Sequence, residues 1–375
     1  MTQPQPVTPS STLSASSSSS RESLHQRWQT LLREQGKLRI RAAADELGVS
    51  ELALRLTQIG RSGGEDEAPL SVTRLAGDWR ALIERLPELG EVMVLTRNAA
   101  AVHEKVGTFG AIQFGEGFGL VLNREVDLRL FMSRWAHGVA VIEAARGGGV
   151  HRSLQFFDAS GTAIHKVYLR DGSNRAAYAG IVDEWTAADQ QAELAIEPVA
   201  PPAAPKPDAE IDVEGLRADW LALQDPHEFF PMLRRYEVAR TQALRLAPEG
   251  HAERIGDDAI VTLLERASAT KTPIMVFVGS PGCIQIHTGR VEQIKAMGPW
   301  INVLDPGFNL HLRTDMVAES WIVRKPTADG VVSSLELFDD QGQTIALLFG
   351  EREAGTPELA AWRALLGELS QAAQA

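Results

Sequence analysis

Residues 153–169 read SLQFFDASGTAIHKVYL, and residues 334–350 read SLELFDDQGQTIALLFG. Each joins two short runs rich in Val, Ile, Leu, Phe and Tyr through an Asp-x-x-Gly turn, the pattern of an antiparallel hairpin. From Asp158 to Asp339 the offset is 181 residues, and other paired segments keep nearly the same spacing. EVMVLTRN (91–98) faces PIMVFVGS (273–280), and REVDLRLF (124–131) faces PGFNLHLR (306–313). A Trp-led helical stretch opens each series, RWQTLLREQGKLRIRAAADELGVSELALRL from Arg27 and DWLALQDPHEFFPMLRRYEVARTQALRL from Asp219, and both end in ALRL. Trp28 therefore corresponds to Trp220. One unit is written twice, as self-similarity at a long fixed period implies.

Working outward, EPVAPPAAPKPDAE (197–210) divides the copies, because its prolines favour an extended spacer over a helix. The first twenty residues, MTQPQPVTPSSTLSASSSSS, are polar and of low complexity, without the charged start and apolar run of a secretory signal. The expected organisation is a disordered Ser-rich tail at 1–24, an N-terminal repeat at 25–196, a linker at 197–210 and a C-terminal repeat at 211–372. Strands dominate the middle of each copy. VTRLAGDWRALIERL (72–86) and TPELAAWRALLGEL (356–369) carry apolar residues at helical spacing. The second opens with Thr356, Pro357 and Glu358 as cap, first-turn proline and first-turn acid. The fold class predicted is α+β, a tandem duplication in which each half is a large, mainly antiparallel sheet flanked by helices.

Composition narrows the function by exclusion. A chain of 375 residues has ample material for a core, and 49 acidic against 37 basic residues give a formal charge of −12, which opposes nucleic acid as a partner. One cysteine, Cys283, permits no internal disulfide and no Cys/His zinc array, in keeping with a reducing cytoplasm. No run of about 18 apolar residues occurs, so no membrane insertion is expected.

The copies differ where a single histidine appears. With the opening tryptophans aligned, His227 falls near Gln35; counted back from ALRL, Arg240 falls near Ser50. Shared features serve the fold, so an asymmetric site belongs where the copies diverge. Asp225, Pro226, His227 and Glu228 form a helix-start pattern with Asp225 as cap and Glu228 closing a capping box. Pro231 should then bend or restart the helix and push Phe230 toward extended backbone. Phe229 and Phe230 add flat apolar surface, and Arg234, Arg235 and Arg240 add fixed positive charge. Imidazole, aromatic walls and arginines for carboxylates are what a haem asks of a protein.

The string D-x-H-x-F-F-x-x-L-R-R with Arg240, together with VLTRN and AVHEKVG (94–107), SLQFFD, and FNLHLR…SWIVRKPTADG (308–330), resembles the HemS/ChuS/PhuS/HmuS family of cytoplasmic haem-handling proteins, the hemin-degrading factors. The resemblance spans roughly residues 25–370. It implies a haem cleft between the halves, His227 as axial ligand of the haem iron, Arg97 on the distal side with a catalytic part in any cleavage, and Arg240 near the propionates. Lys325 and Arg352 resemble basic residues lining the cleft. Glu228 and Phe230 stand where some relatives carry exchangeable histidines. The implied function is cytoplasmic haem binding in bacterial iron acquisition, with b-type haem degraded by an external reductant or delivered to a haem oxygenase; a non-catalytic haem buffer or haem-status regulator is the alternative. Partners implied are the haem importer and a haem oxygenase or reductase.

Elsewhere, GEGFG (115–119) lacks the spacing of a phosphate loop and is expected to be a hairpin turn. His165, His287 and His311 lie in alternating strand patterns, and Cys283 is expected to pack in a sheet. Trp135, Trp300 and Trp321 are expected to build the cores.

Overall fold

The computed structural model describes residues 16–36, 38–61, 70–145, 148–199, 204–353 and 355–374. The first half runs α1 (Ser16–Gln35), α2 (Ile40–Leu47), α3 (Glu51–Leu56), β1 (Leu70–Leu75), α4 (Trp79–Arg85), β2 (Val92–Arg97), β3 (Ala101–Gly107), β4 (Ala111–Phe114), β5 (Gly119–Leu122), β6 (Asp127–Leu130), β7 (His137–Ala144), β8 (Val150–Phe157), β9 (Ala163–Leu169) and α5 (Arg175–Trp185). The second runs α6 (Val213–Leu221), α7 (Phe229–Arg235), α8 (Arg240–Arg245), β10 (Ala252–Ile255), α9 (Ala259–Thr270), β11 (Ile274–Gly279), β12 (Cys283–Gly289), β13 (Ile294–Met297), β14 (Trp300–Asp305), β15 (Phe308–Arg313), β16 (Glu319–Thr327), β17 (Gly330–Phe338), β18 (Thr344–Gly350) and α10 (Ala360–Gln374). The order of helices and strands is the same in both halves, so the chain is a tandem α+β duplication with large antiparallel sheets and flanking helices.

The two diagnostic turns agree atom for atom. Asp158 Oδ1 accepts from the Ser160 and Thr162 amides, and Gly161 N donates to the Asp158 carbonyl. Asp339 Oδ1 accepts from Gln341 and Gln343, and Gly342 N donates to the Asp339 carbonyl. Gly161 and Gly342 hold φ of +75° and +70°, which is why glycine stands at that place in both copies.

The compact units do not follow the two halves. The smaller comprises the described residues up to 77 with 136–163 and 180–199; the larger comprises 78–135, 164–179 and the chain from 204. In the smaller unit β1, β7 and β8 pair in that order over a core of Leu52, Val72, Val139, Val141 and Phe157. In the larger unit β9, β2, β3, β15, β14 and β13 run side by side, and a second sheet runs β10-β16-β17-β18-β11-β12-β6-β5-β4. β4 to β6, from the first half, thus join second-half strands through β6 on β12, and β13 to β15 join first-half strands through β15 on β3. The halves exchange three-stranded meanders. Where β3 meets β12, equivalent positions of the two copies touch: His103 Nδ1 lies 2.8 Å from Gln285 Nε2 and Lys105 Nζ 3.3 Å from His287 Nδ1, each pair 182 residues apart.

Several local expectations are corrected. The tail does not extend to residue 24, because α1 starts at Ser16; Arg21 donates to the Ala192 carbonyl at 2.9 Å and Glu22 pairs with Arg61, which fixes the first turns. Residues 1–15 of that tail, and 200–203 of the linker, lie outside the described residues. Val72–Leu75 are strand, not helix; Gly77, with φ +134°, breaks the chain before Asp78 caps α4 at the Arg80 amide. α10 begins at Ala360, because Glu358 Oε2 instead accepts the Ser333 amide at 2.6 Å. Trp135 and Trp321 are buried, whereas Trp300 is half-buried beneath Arg313. GEGFG closes the β4–β5 hairpin, with Gly115 N donating to the Phe118 carbonyl at 2.9 Å.

Candidate functional site

The His227 turn is built by Asp225. Its Oδ1 accepts the His227 amide at 2.7 Å, and Glu228 Oε2 accepts the Asp225 amide at 3.2 Å, closing the capping box over a single turn at Pro226–Glu228. α7 follows without a break. Pro231 lies in its first turn, where a missing N–H costs nothing; of the two outcomes expected at this proline the helix starts afresh, and the bend and the extended Phe230 are corrected.

The same Oδ1 lies 2.6 Å from His227 Nδ1. The His227 amide, with the His227 side chain adding to it, holds the Asp225 carboxyl below its usual range against the opposing effect of burial. An ionised carboxylate can only accept, so Nδ1 carries a proton, which leaves Nε2 as the ring nitrogen able to meet a metal. With its side chain 90% exposed, His227 presents that nitrogen outward. A carboxylate behind the second ring nitrogen is the arrangement that orients metal-binding histidines.

The other residues singled out in the sequence fall into three places. Arg352 belongs with His227: its charge adds to the lowering of Asp225, and its Nη2 lies 3.7 Å from Asp329 on the β16–β17 turn. That turn is tied to the His227 segment by the Ala328 amide on the Gln224 carbonyl at 2.9 Å.

Arg240, Lys325 and Phe229 meet around Glu336. Arg240 Nε and Nη2 donate to Glu336 Oε2 and Oε1 at 2.7 and 2.8 Å, and Lys325 Nζ donates to Oε1 at 2.8 Å. The Phe229 ring lies beneath both cations, 4.6 Å from Lys325 Nζ and 5.1 Å from Arg240 Cζ, and packs edge-on against Trp220 at 4.6 Å. Burial pushes Lys325 down, opposed by Glu336. Burial alone would raise Glu336, but the Arg240 and Lys325 charges outweigh it and hold the carboxyl far below its ordinary range. The two phenylalanines part company: Phe229 is 2% exposed and Phe230 62%, so only Phe230 offers a surface.

Arg97 stands apart at the end of β2, its Nε on the Asn98 carbonyl at 3.3 Å. Asn98 ties this strand end across to the Gly279 and Ile345 carbonyls at 3.2 and 2.8 Å. Gly279 is also the position equivalent to Arg97 in the second copy, so this arginine too is found in one copy only.

Sequence reasoning overlooked two groups. Glu336 hid inside SLELF, although a charged residue among inward strand positions, facing Gln155 in the sister copy, was a usable signal. Asp225 was read as a cap but not as the partner of the imidazole. Among the strand histidines, His165 and His287 are buried and His311 Nδ1 meets Asn302 Oδ1 at 2.7 Å; Cys283 is buried in β12, its thiol pushed up to about 12 by burial.

Fold and site together define a duplicated α+β protein with strands exchanged between copies and an oriented surface histidine in the second copy. A family model described as the haemin-degrading HemS/ChuX domain matches residues 57–185 and 237–369. The chain is 38% identical over 330 residues to the hemin transport protein HmuS of Yersinia pestis, covering 88% of this chain and 92% of that protein. Among solved structures, holo-PhuS, a heme-binding protein from Pseudomonas aeruginosa, matches with TM-score 0.87 and 43% identity over 93% of this chain and 99% of its own. The heme degrading enzyme ChuS of Escherichia coli O157:H7 matches with TM-score 0.85 and 34% identity over 93% and 99%. The chain belongs to the HemS/ChuX-domain family.

Proposed function

We propose that the protein binds haem through His227 Nε2 and handles it in the cytoplasm during iron acquisition, as cargo for delivery or as substrate for cleavage. The observation that carries this reading is the exposed imidazole locked by Asp225 into the tautomer a metal needs. Bound haem supplies the iron and the oxidisable ring. Around it the chain supplies charge and surface: Arg240, backed by Lys325, for a propionate, Phe230 for the ring face, and Arg352 beside the histidine turn. Arg97, anchored at its strand end, is assigned to the distal side, where a fixed cation stabilises developing negative charge. Electrons for cleavage come from an external reductant. Among the described residues no helix is long and apolar enough to cross a membrane.

Titration of the purified protein with ferric haem, followed by the Soret band, tests the assignment. His227→Ala should weaken binding by about 100-fold and shift the band, and Asp225→Ala, which removes the orienting carboxylate together with the cap of the turn, by about tenfold. An unchanged spectrum in the histidine variant removes the assignment. Ascorbate with catalase then separates the two fates of haem: Soret loss in the wild type but not in the variant marks cleavage, and a persistent band marks delivery.

A further inference from the structure

Glu336 is fully buried and holds two cations, and the Ser334 hydroxyl donates to its Oε1 at 2.9 Å. Formal charges in this cluster leave one positive charge in excess. Only Arg240 reaches the surface, its side chain 20% exposed against 4% for Lys325. Unequal buried charge is costly unless a further partner balances it, so the cluster is built to meet an anion at its exposed edge. The clamp has a direction. Glu336 engages the guanidinium through Nε and Nη2, which leaves the Nη1–Nη2 edge, the second bidentate face of the fork, for an incoming carboxylate.

The sister copy shows what the fold itself requires here. Ser153 and Gln155 occupy the places of Ser334 and Glu336, and the Gln155 amide donates to the Ser153 hydroxyl at 3.0 Å. A buried amide suffices in the copy whose strand lacks the lysine, so the negative charge of Glu336 answers to the two cations of this copy, Arg240 and Lys325.

We propose that Glu336 is a positioning residue of the haem surface: it fixes the outward edge of Arg240 to receive one carboxylate of the ligand, with the Lys325 charge behind it. This rests on the haem reading above. The test compares ferric haem with haem dimethyl ester, which lacks both free carboxylates, on the wild type and on Glu336→Gln, the residue the sister copy already carries. Glu336→Gln should weaken haem binding about tenfold, leave the ester unchanged and so narrow the preference for haem over ester. Equal or tighter haem binding overturns the proposal, because then charge alone draws the carboxylate. Equal weakening of both ligands overturns it as well, because loosened structure acts on both. If circular dichroism shows Glu336→Gln unfolded, the double variant Glu336→Gln/Lys325→Met, which leaves no pair of buried cations, is read against Lys325→Met alone, and that comparison carries the same expectations and the same refutations. Failure of the haem reading looks different: the wild type shows no saturable Soret change, or His227→Ala loses none.

Discussion

At the strand position where the second copy buries Lys325, the first copy has Glu143. The registers show the correspondence: Glu143 lies opposite His151 and Lys325 opposite Val332, and the hairpin turns place His151 and Val332 at the same position. In the first copy Arg55 of α3 clasps Glu143 with bonds of 2.8 and 3.1 Å and also reaches Gln58, a one-to-one pair whose carboxylate is 31% exposed. In the second copy the sign on the strand is reversed, the cation of the helix layer is Arg240 at the start of α8, and a buried carboxylate is needed to hold both. The repeat tolerates a charged residue at this strand position and is indifferent to its sign. That freedom is where the copies differ, in the same copy that carries His227.

The charge count can be broken most forcefully at Glu336. Glu336→Gln leaves two buried cations facing each other and should cost about 3–5 kcal/mol of stability in urea denaturation, whereas Lys325→Met leaves a balanced Arg240–Glu336 pair and should cost less than about 1.5 kcal/mol. Equal losses would mean that packing, not charge balance, sets the cluster.

The contact between equivalent strands of the two copies gives the next test. Burial holds His165 and His287 down to about 3 and His103 well below its ordinary 6.5. Lys105 faces His287, and Gln285 and Phe308 face His103. The folded state therefore resists protonation that the unfolded chain accepts. Stability from these groups is complete above pH about 6.5 and should fall by roughly 1.4 kcal/mol per pH unit per histidine as pH drops toward their folded values. Glu336, also depressed, adds loss below about pH 4.5. Denaturation midpoints measured from pH 7.5 to 5 should fall, and His287→Gln should flatten the slope; a level wild-type profile sinks the reading of a neutral buried layer.

The smallest effect belongs to the first copy. Arg55→Met removes a buried cation and leaves Glu143 able to reach water, so the loss should be about 1 kcal/mol in the same denaturation assay. A loss as large as that at Glu336 would erase the contrast between the copies.

Much of this architecture was legible because short-range rules produce it. The Asp-x-x-Gly turns, the repeated order of segments and the capping box at Asp225 depend on neighbours within a few residues, and each appears in the structure. Local rules also misled where tertiary contacts won. Val72 and Leu75 fit a helical face but pair with β7, and Glu358 looked like a first-turn acid until the Ser333 amide claimed it. Pro231 suggested an extended Phe230, although in the first turn of α7 it removes no needed donor and Phe230 stays helical.

By itself the sequence determined the duplication, the α+β class and the one-copy histidine, because offset, alternation and residue type are properties of the string. Only tertiary structure decided that β4–β6 and β13–β15 cross to the other copy's strands, since an alternating strand reads the same whichever neighbour it pairs with. It also decided that Arg240 and Lys325, 85 positions apart, share one carboxylate. That convergence follows from burial, which makes an unpaired charge so costly that residues distant in the chain are brought to a common partner.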